Sequence, residues 1–106
     1  MKTLQSVEEF ETLKNDGLHV FLFTADWCPD CHFLDPFLPE IEENFSDFTF
    51  VSVDRDEFID LCRDLDIFGI PSFVVFQNGK EIGRLVNKER KTKEEVEEFL
   101  SNLPRE

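Results

Sequence analysis

The stretch Phe21-Leu22-Phe23-Thr24-Ala25-Asp26-Trp27-Cys28-Pro29-Asp30-Cys31-His32 decides the fold. Residues 18–24 form a nearly unbroken apolar, β-favouring run, which suits a central strand covered on both faces. On the other side, Phe33, Leu34, Phe37, Leu38, Ile41 and Phe45 recur at helical intervals, with Pro36 forcing a kink or restart. A buried strand therefore runs straight into a helix that opens at the cysteines. Cys28 is expected in its first turn, where partial positive charge favours a thiolate, and Pro29 suits a position that needs no amide donor. Residues three apart in such a turn are neighbours, so the two sulfurs can bond with little backbone movement. Cys28 is expected to be the exposed, more acidic thiol and Cys31 the shielded one.

Working outward, Ser6-Val7-Glu8-Glu9 has the form of a capping box, followed by Val7, Phe10 and Leu13 at helical spacing and a stop at Gly17. His19 reads as a strand-end residue. A second strand is expected over 48–53 and a helix carrying Phe58, Ile59, Leu61, Cys62 and Leu65 after it, with Cys62 a buried core thiol. Residues 72–77 and 80–86 read as strands joined by Asn78-Gly79, a strong hairpin signal. Thr92-Lys93-Glu94-Glu95 repeats the capping-box pattern ahead of Val96, Phe99, Leu100 and Leu103. The alternation implies a parallel βαβ unit with an antiparallel edge, in one domain over residues 1–106.

The 106 residues suit one core, filled largely by 13 Phe with no Tyr. Lys+Arg 11 against Asp+Glu 24 gives a net charge of −13, which argues against a phosphate-backbone ligand, so no nucleic acid is expected. Lys80, Arg84, Lys88, Arg90, Lys91 and Lys93 concentrate positive charge in one segment, read as a solvated face or as a surface that orients a partner. No apolar run approaches a membrane span, the N-terminus shows no apolar signal region, and an odd count of three cysteines does not suit a disulfide-stapled scaffold. A soluble, cytoplasmic monomer is expected.

The C-x-x-C, placed between a buried-type strand and a helix, points to thiol–disulfide exchange. In the expected cycle Cys28 attacks a substrate disulfide, Cys31 attacks Cys28 sulfur, and an internal disulfide results. Asp30 suits the helix dipole but opposes a nearby thiolate, and a protonated His32, one turn beyond Cys28, would offset it. Cys28-Pro29-Asp30-Cys31-His32 also has the form of a c-type haem attachment site, but Met1 is the sole methionine and axial-ligand support is lacking. Two clustered cysteines plus His32 fall short of a closed zinc site unless a dimer completes it. No cofactor and no metal are expected.

With Trp27-Cys28-Pro29-Asp30-Cys31 and Gly69-Ile70-Pro71-Ser72 in hand, the chain resembles the thioredoxin family, and more narrowly its small members with Pro-Asp between the cysteines. Ala25-Asp26-Trp27 before the motif, Pro36 after it, and 76–80 at the hairpin match the family pattern. The resemblance implies a thioredoxin-like three-layer α/β sandwich, with a central mixed sheet of four to five strands and helices on both faces. It implies that Pro71 is cis and that Trp27, Ile70 and Pro71 border a substrate groove. It also exposes departures: the family's buried Asp is replaced by Leu22 and its Lys partner by Phe50. What deprotonates Cys31 is thus open, with Asp26, Asp30 and water as candidates. The expected activity is that of a disulfide reductant for disulfide-containing proteins or small molecules, recharged by an electron-donor reductase or thiol. The alternative is a redox-sensitive binding module that uses the same groove without turnover.

Overall fold

Strand β2 (Leu18–Thr24) alternates between two cores, and the other elements are arranged around that alternation. Phe21 and Phe23 face one core with Phe10, Val51, Val53, Leu61, Val74 and Phe76. Val20 and Leu22 face the other with Leu34, Ile41, Phe50, Phe73, Val75, Val96 and Leu100. Residues 20 to 23 of β2 are at most 2% exposed, as the continuous apolar run requires. Each fully buried Phe or Leu contributes about 1.5–3 kcal/mol relative to exposure.

The computed structural model describes residues 1–105. The remaining strands are β1 (Lys2–Thr3), β3 (Thr49–Asp54), β4 (Ser72–Gln77) and β5 (Lys80–Leu85). The sheet order is β1-β3-β2-β4-β5, with β1, β3 and β2 parallel and with β4 antiparallel to both β2 and β5. Helices α1 (Val7–Lys14) and α4 (Ile59–Asp64) contribute to the first core. Helices α2 (Pro29–Leu34), α3 (Leu38–Asn44) and α5 (Lys93–Ser101) cover the second. This is the mixed-sheet α/β sandwich the pattern implies. The edge strand β1 lies outside any sequence signal: Lys2 and Thr3 are exposed, too short to show a period, and fixed by the Leu4 N–H to Ser52 carbonyl bond of 2.8 Å and the burial of Leu4.

Pro36 separates α2 from α3 through a 3₁₀ turn (Asp35–Phe37), which breaks the helix where the proline removes a donor. At Asn78-Gly79 both residues have positive φ, 50° and 91°, as the tight hairpin requires. That turn is tied to the end of α1: the Gly79 N–H donates to the Lys14 carbonyl, and Asn78 exchanges bonds with Gly17 in both directions. The two capping signals differ. Thr92 and Glu95 form the full reciprocal box, whereas Ser6 caps the Glu9 N–H but the Glu9 carboxylate reaches past Ser6 to the Gln5 N–H at 2.8 Å.

His19 is only 6% exposed, stacks on Phe21, and leaves its Nδ1 without a hydrogen-bond partner among the described residues. Burial pushes its pKa below the ordinary imidazole value of 6.5, against the pull of Asp16. The unfolded chain then takes up this proton before the folded one does, so His19 costs stability as pH falls through about 6.5. Thermal melts across that range should show a steeper acid-side loss for the native chain than for H19F, and parallel curves would refute the assignment.

Candidate active site

The site forms where β2 ends and the chain turns into α2. Cys28 is the N-cap of α2, one position before the expected first turn, and Pro29 takes the donor-free place after it. The Cys28 Sγ accepts the Cys31 N–H at 3.2 Å and lies 4.0 Å from the Ile70 carbonyl oxygen. This capping geometry sets the two thiols side by side, and all three cysteines are free. Cys28 is 5% exposed, where its place at a helix end had suggested an open thiol. The reason is tertiary: the loop carrying Ile70 packs against Ala25, Cys28 and Cys31 in a small cluster of its own. Cys31 lies deeper, at 2%, and burial first, then the Cys28 sulfur, push its thiol up to about 11. The Thr24 hydroxyl and the Ala25 backbone oppose that rise in part.

A groove of about 430 Å³ runs over Cys28, between Trp27, Pro29 and Asp30 on one side and Ile67, Phe68, Gly69 and Ile70 on the other. Trp27 is 56% exposed, yet its ring is held: the indole N–H donates to Asp56 at 2.6 Å and the Arg55 guanidinium sits 5.2 Å from the ring centroid. The Ile70–Pro71 bond is cis, and Pro71 is buried behind the groove wall. Gly69 is required by contact, since a Cβ there would lie 2.3 Å from the Asn87 carbonyl oxygen. The loop after β5 thus backs directly onto the loop that carries Ile70. The roles of Arg55 and Asp56 escape a sequence reading because each acts through Trp27, a partner distant along the chain.

Asp30 and His32, the polar side chains expected to tune the cysteines, are engaged elsewhere. Asp30 pairs with Arg90 at 3.1 Å, and the same guanidinium lies 4.3 Å from the Phe33 ring centroid. His32 does not turn toward Cys28: Nε2 meets the Asp26 carbonyl oxygen and Nδ1 lies 3.4 Å from Asp35. The Asp26 side chain is exposed. Leu22 and Phe50 are buried in the second core, so no acid lies beneath Cys31 there. The basic segment is not wholly a solvated face, because Lys91 is 0% exposed. Cys62 is a buried core thiol raised to about 11 by burial. No group of three or more His, Cys, Asp or Glu side chains among the described residues could hold a metal ion.

A family model described as thioredoxin matches residues 2–102. Thioredoxin H2 of Arabidopsis thaliana is 32% identical over 93 residues, covering 88% of this chain and 68% of that one. The mitochondrial thioredoxin-2 of Schizosaccharomyces pombe is 31% identical over 93 residues, covering 87% and 70%. The crystal structure of oxidised mitochondrial thioredoxin 3 from Saccharomyces cerevisiae superposes with a TM-score of 0.85 at 26% identity, over 97% of this chain and 95% of that one.

Two measurements follow from the geometry. Because both buried thiols titrate near 11, iodoacetamide at neutral pH should modify Cys31 and Cys62 far more slowly than a free cysteine, with rates climbing about tenfold per pH unit. Fast labelling of Cys31 at neutral pH would contradict the burial argument. The second is G69A, which drives a Cβ into backbone rather than a yielding side chain and should cost roughly 1–3 kcal/mol in denaturant unfolding. A variant as stable as the parent would show that the loops do not meet this closely.

Proposed function

We propose that this chain, which belongs to the thioredoxin family of disulfide oxidoreductases, is a cytosolic disulfide reductant with Cys28 as nucleophile and Cys31 as resolving thiol. The observation that carries the reading is the placing of Cys28 at the groove with its sulfur capped by the Cys31 N–H one turn behind. Cys28 lines the groove floor under Trp27 and Ile70, and Cys31 lies one turn behind it, buried and held protonated.

A substrate disulfide entering the groove meets Cys28 first. Attack by its sulfur breaks the substrate S–S bond, forms a mixed disulfide, and sends one substrate thiolate out. The Cys31 N–H that already caps Cys28 sulfur at 3.2 Å is in place to stabilise negative charge on it. Cys31 then attacks Cys28 sulfur, the Cys28–Cys31 disulfide forms, and the substrate leaves as a thiol. An outside reductase or thiol reopens the pair. Trp27 and the Ile70 carbonyl supply the walls against which an extended substrate segment lies. Asp30, Asp26 and His32 take no direct part in this reading, since Asp30 is paired with Arg90 and His32 is tied to the Asp26 carbonyl.

The test is a trapping experiment. With a protein disulfide substrate, Cys31→Ser should accumulate a dithiothreitol-sensitive mixed disulfide on Cys28, while the native chain turns over and ends with an internal bond and Cys62 still alkylatable under denaturation. If the native chain forms no internal disulfide, the cycle is wrong. If a Cys28→Ser, Cys31→Ser double variant captures the same partners as the native chain, the groove serves recruitment without exchange.

A further inference from the structure

The exchange cycle leaves the basic segment unused, yet one of its cations, Lys88, lines the Cys28 groove. The backbone at Lys88 is fixed from two sides. The buried Lys91 ammonium donates to the Asn87 carbonyl at 3.2 Å, the Asn87 side-chain oxygen at 2.7 Å and the Glu89 carbonyl at 2.7 Å. Three N–H donors thus meet three acceptors, on the residues that flank Lys88. From the other side Gly69 packs so closely that an added Cβ would lie 2.8 Å from the Lys88 Cα. Lys88 itself is exposed, and among the described residues it has no ion pair and no side-chain hydrogen bond.

The other charges of the groove are matched. Asp30 is the one carboxylate of its lining, and Arg90 pairs with it at 3.1 Å. Arg55 lies over the Trp27 ring with its Nε 3.5 Å from Asp56. Lys88 is therefore the cation of the lining that lacks a carboxylate, in a chain of net charge −13. Acids elsewhere on the surface are screened beyond about 8 Å at physiological ionic strength, so a substrate seated in the groove responds first to Lys88. A second groove, of about 400 Å³, continues past Phe68 and shares Arg55, Ile67 and Phe68 with the first. Together they form a track with exposed Phe68 and Ile59, longer than one disulfide linkage and suited to an extended polypeptide. Asp66 lines the second groove and not the first, so the place for an acidic side chain is at Lys88.

We propose that Lys88 is a specificity-determining residue of the Cys28 groove, selecting polypeptide disulfides that carry an acidic side chain beside the reacting cysteine. This deepens the proposed function and rests on it. The substrate carboxylate pairs with the Lys88 ammonium while the Cys28 thiolate attacks the neighbouring sulfur. The bond from Cys28 to that sulfur forms, the substrate S–S bond breaks, and the electron pair leaves on the distal sulfur, which takes a proton from water. Lys88 neither gives nor takes a proton.

The test uses disulfide-linked homodimers of one short peptide whose single cysteine is flanked on both sides by Glu, Gln or Lys. Each is mixed with the reduced chain in single turnover, and its rate is divided by that for dithiothreitol. This uncharged reductant corrects for the effect of the flanking charge on the disulfide itself. The native chain should reduce the Glu peptide about threefold faster than the Gln peptide, and the Lys peptide about threefold slower. K88M should bring all three within about 1.5-fold of one another, K88E should reverse the order and K88R should keep it. K80E makes the same change in net charge beside the start of β2, away from Cys28, and should leave the order intact. No preference in the native chain, an unchanged order in K88E, or the same reversal in K80E each overturns the proposal. Glutathione disulfide reduced faster than the Glu peptide, and slowed as much by K88M, would overturn the assignment to polypeptides. The Gln peptide separates the two readings. If the native chain does not reduce it, disulfide exchange itself falls; if native and K88M reduce it equally, exchange stands whatever the charged peptides show.

Discussion

The burial of β2 on both faces, with a hydrogen-bonded neighbour on each edge, is the constraint on which the remaining structure depends. Residues 20–23 of a strand so placed are all apolar, because an unpaired polar side chain would lose hydration without gaining a partner, the cost that His19 bears near the strand's start. Its side chains therefore feed two cores alternately, and the helices must divide between the two faces to cover them. The reactive motif begins at the first point where that constraint ends. Thr24 is half-buried, Ala25 and Cys28 are still covered, and Asp26 and Trp27 reach solvent.

The same constraint shapes the site's electrostatics. With Leu22 and Phe50 in the core, the sheet supplies no charge beneath Cys31, and burial, followed by the neighbouring Cys28 sulfur, holds that thiol protonated. Charge arrives instead from loops at the end of the sheet. Arg55 and Asp56 follow β3 and secure Trp27, while residues 87–91 follow β5 and secure Asp30. A core that stays apolar and loops that carry the ions separate folding from reactivity, since loop charges can vary without unpairing anything buried in the sheet.

Much of this was legible along the chain. Period and length gave β2, the kinked helix, the β4–β5 hairpin and the final helix, because those elements owe their form to neighbours within a few residues. The reading was weakest where form depends on distant partners. Strand β1 exists because Leu4 is buried and β3 offers a free edge, which two exposed residues cannot announce. Cys28 looked like an exposed helix-end thiol, and only the Ile70 loop makes it a covered one. Lys91 looked like one more solvated cation in a basic run.

The sequence by itself determined the α/β alternation, the apolar double-faced strand and the pairing of Cys28 with Cys31 at a helix start, since periodicity and three-residue spacing are local properties. Only the tertiary structure decided which charges meet the motif. Asp30 is paired across 60 residues by Arg90, His32 is turned to Asp26 and Asp35, and Lys91 is drawn inside by three acceptors of its own loop. Those outcomes depend on how two loops close over one strand end, and burial and ion pairing are consequences of that closure rather than of any single stretch of chain.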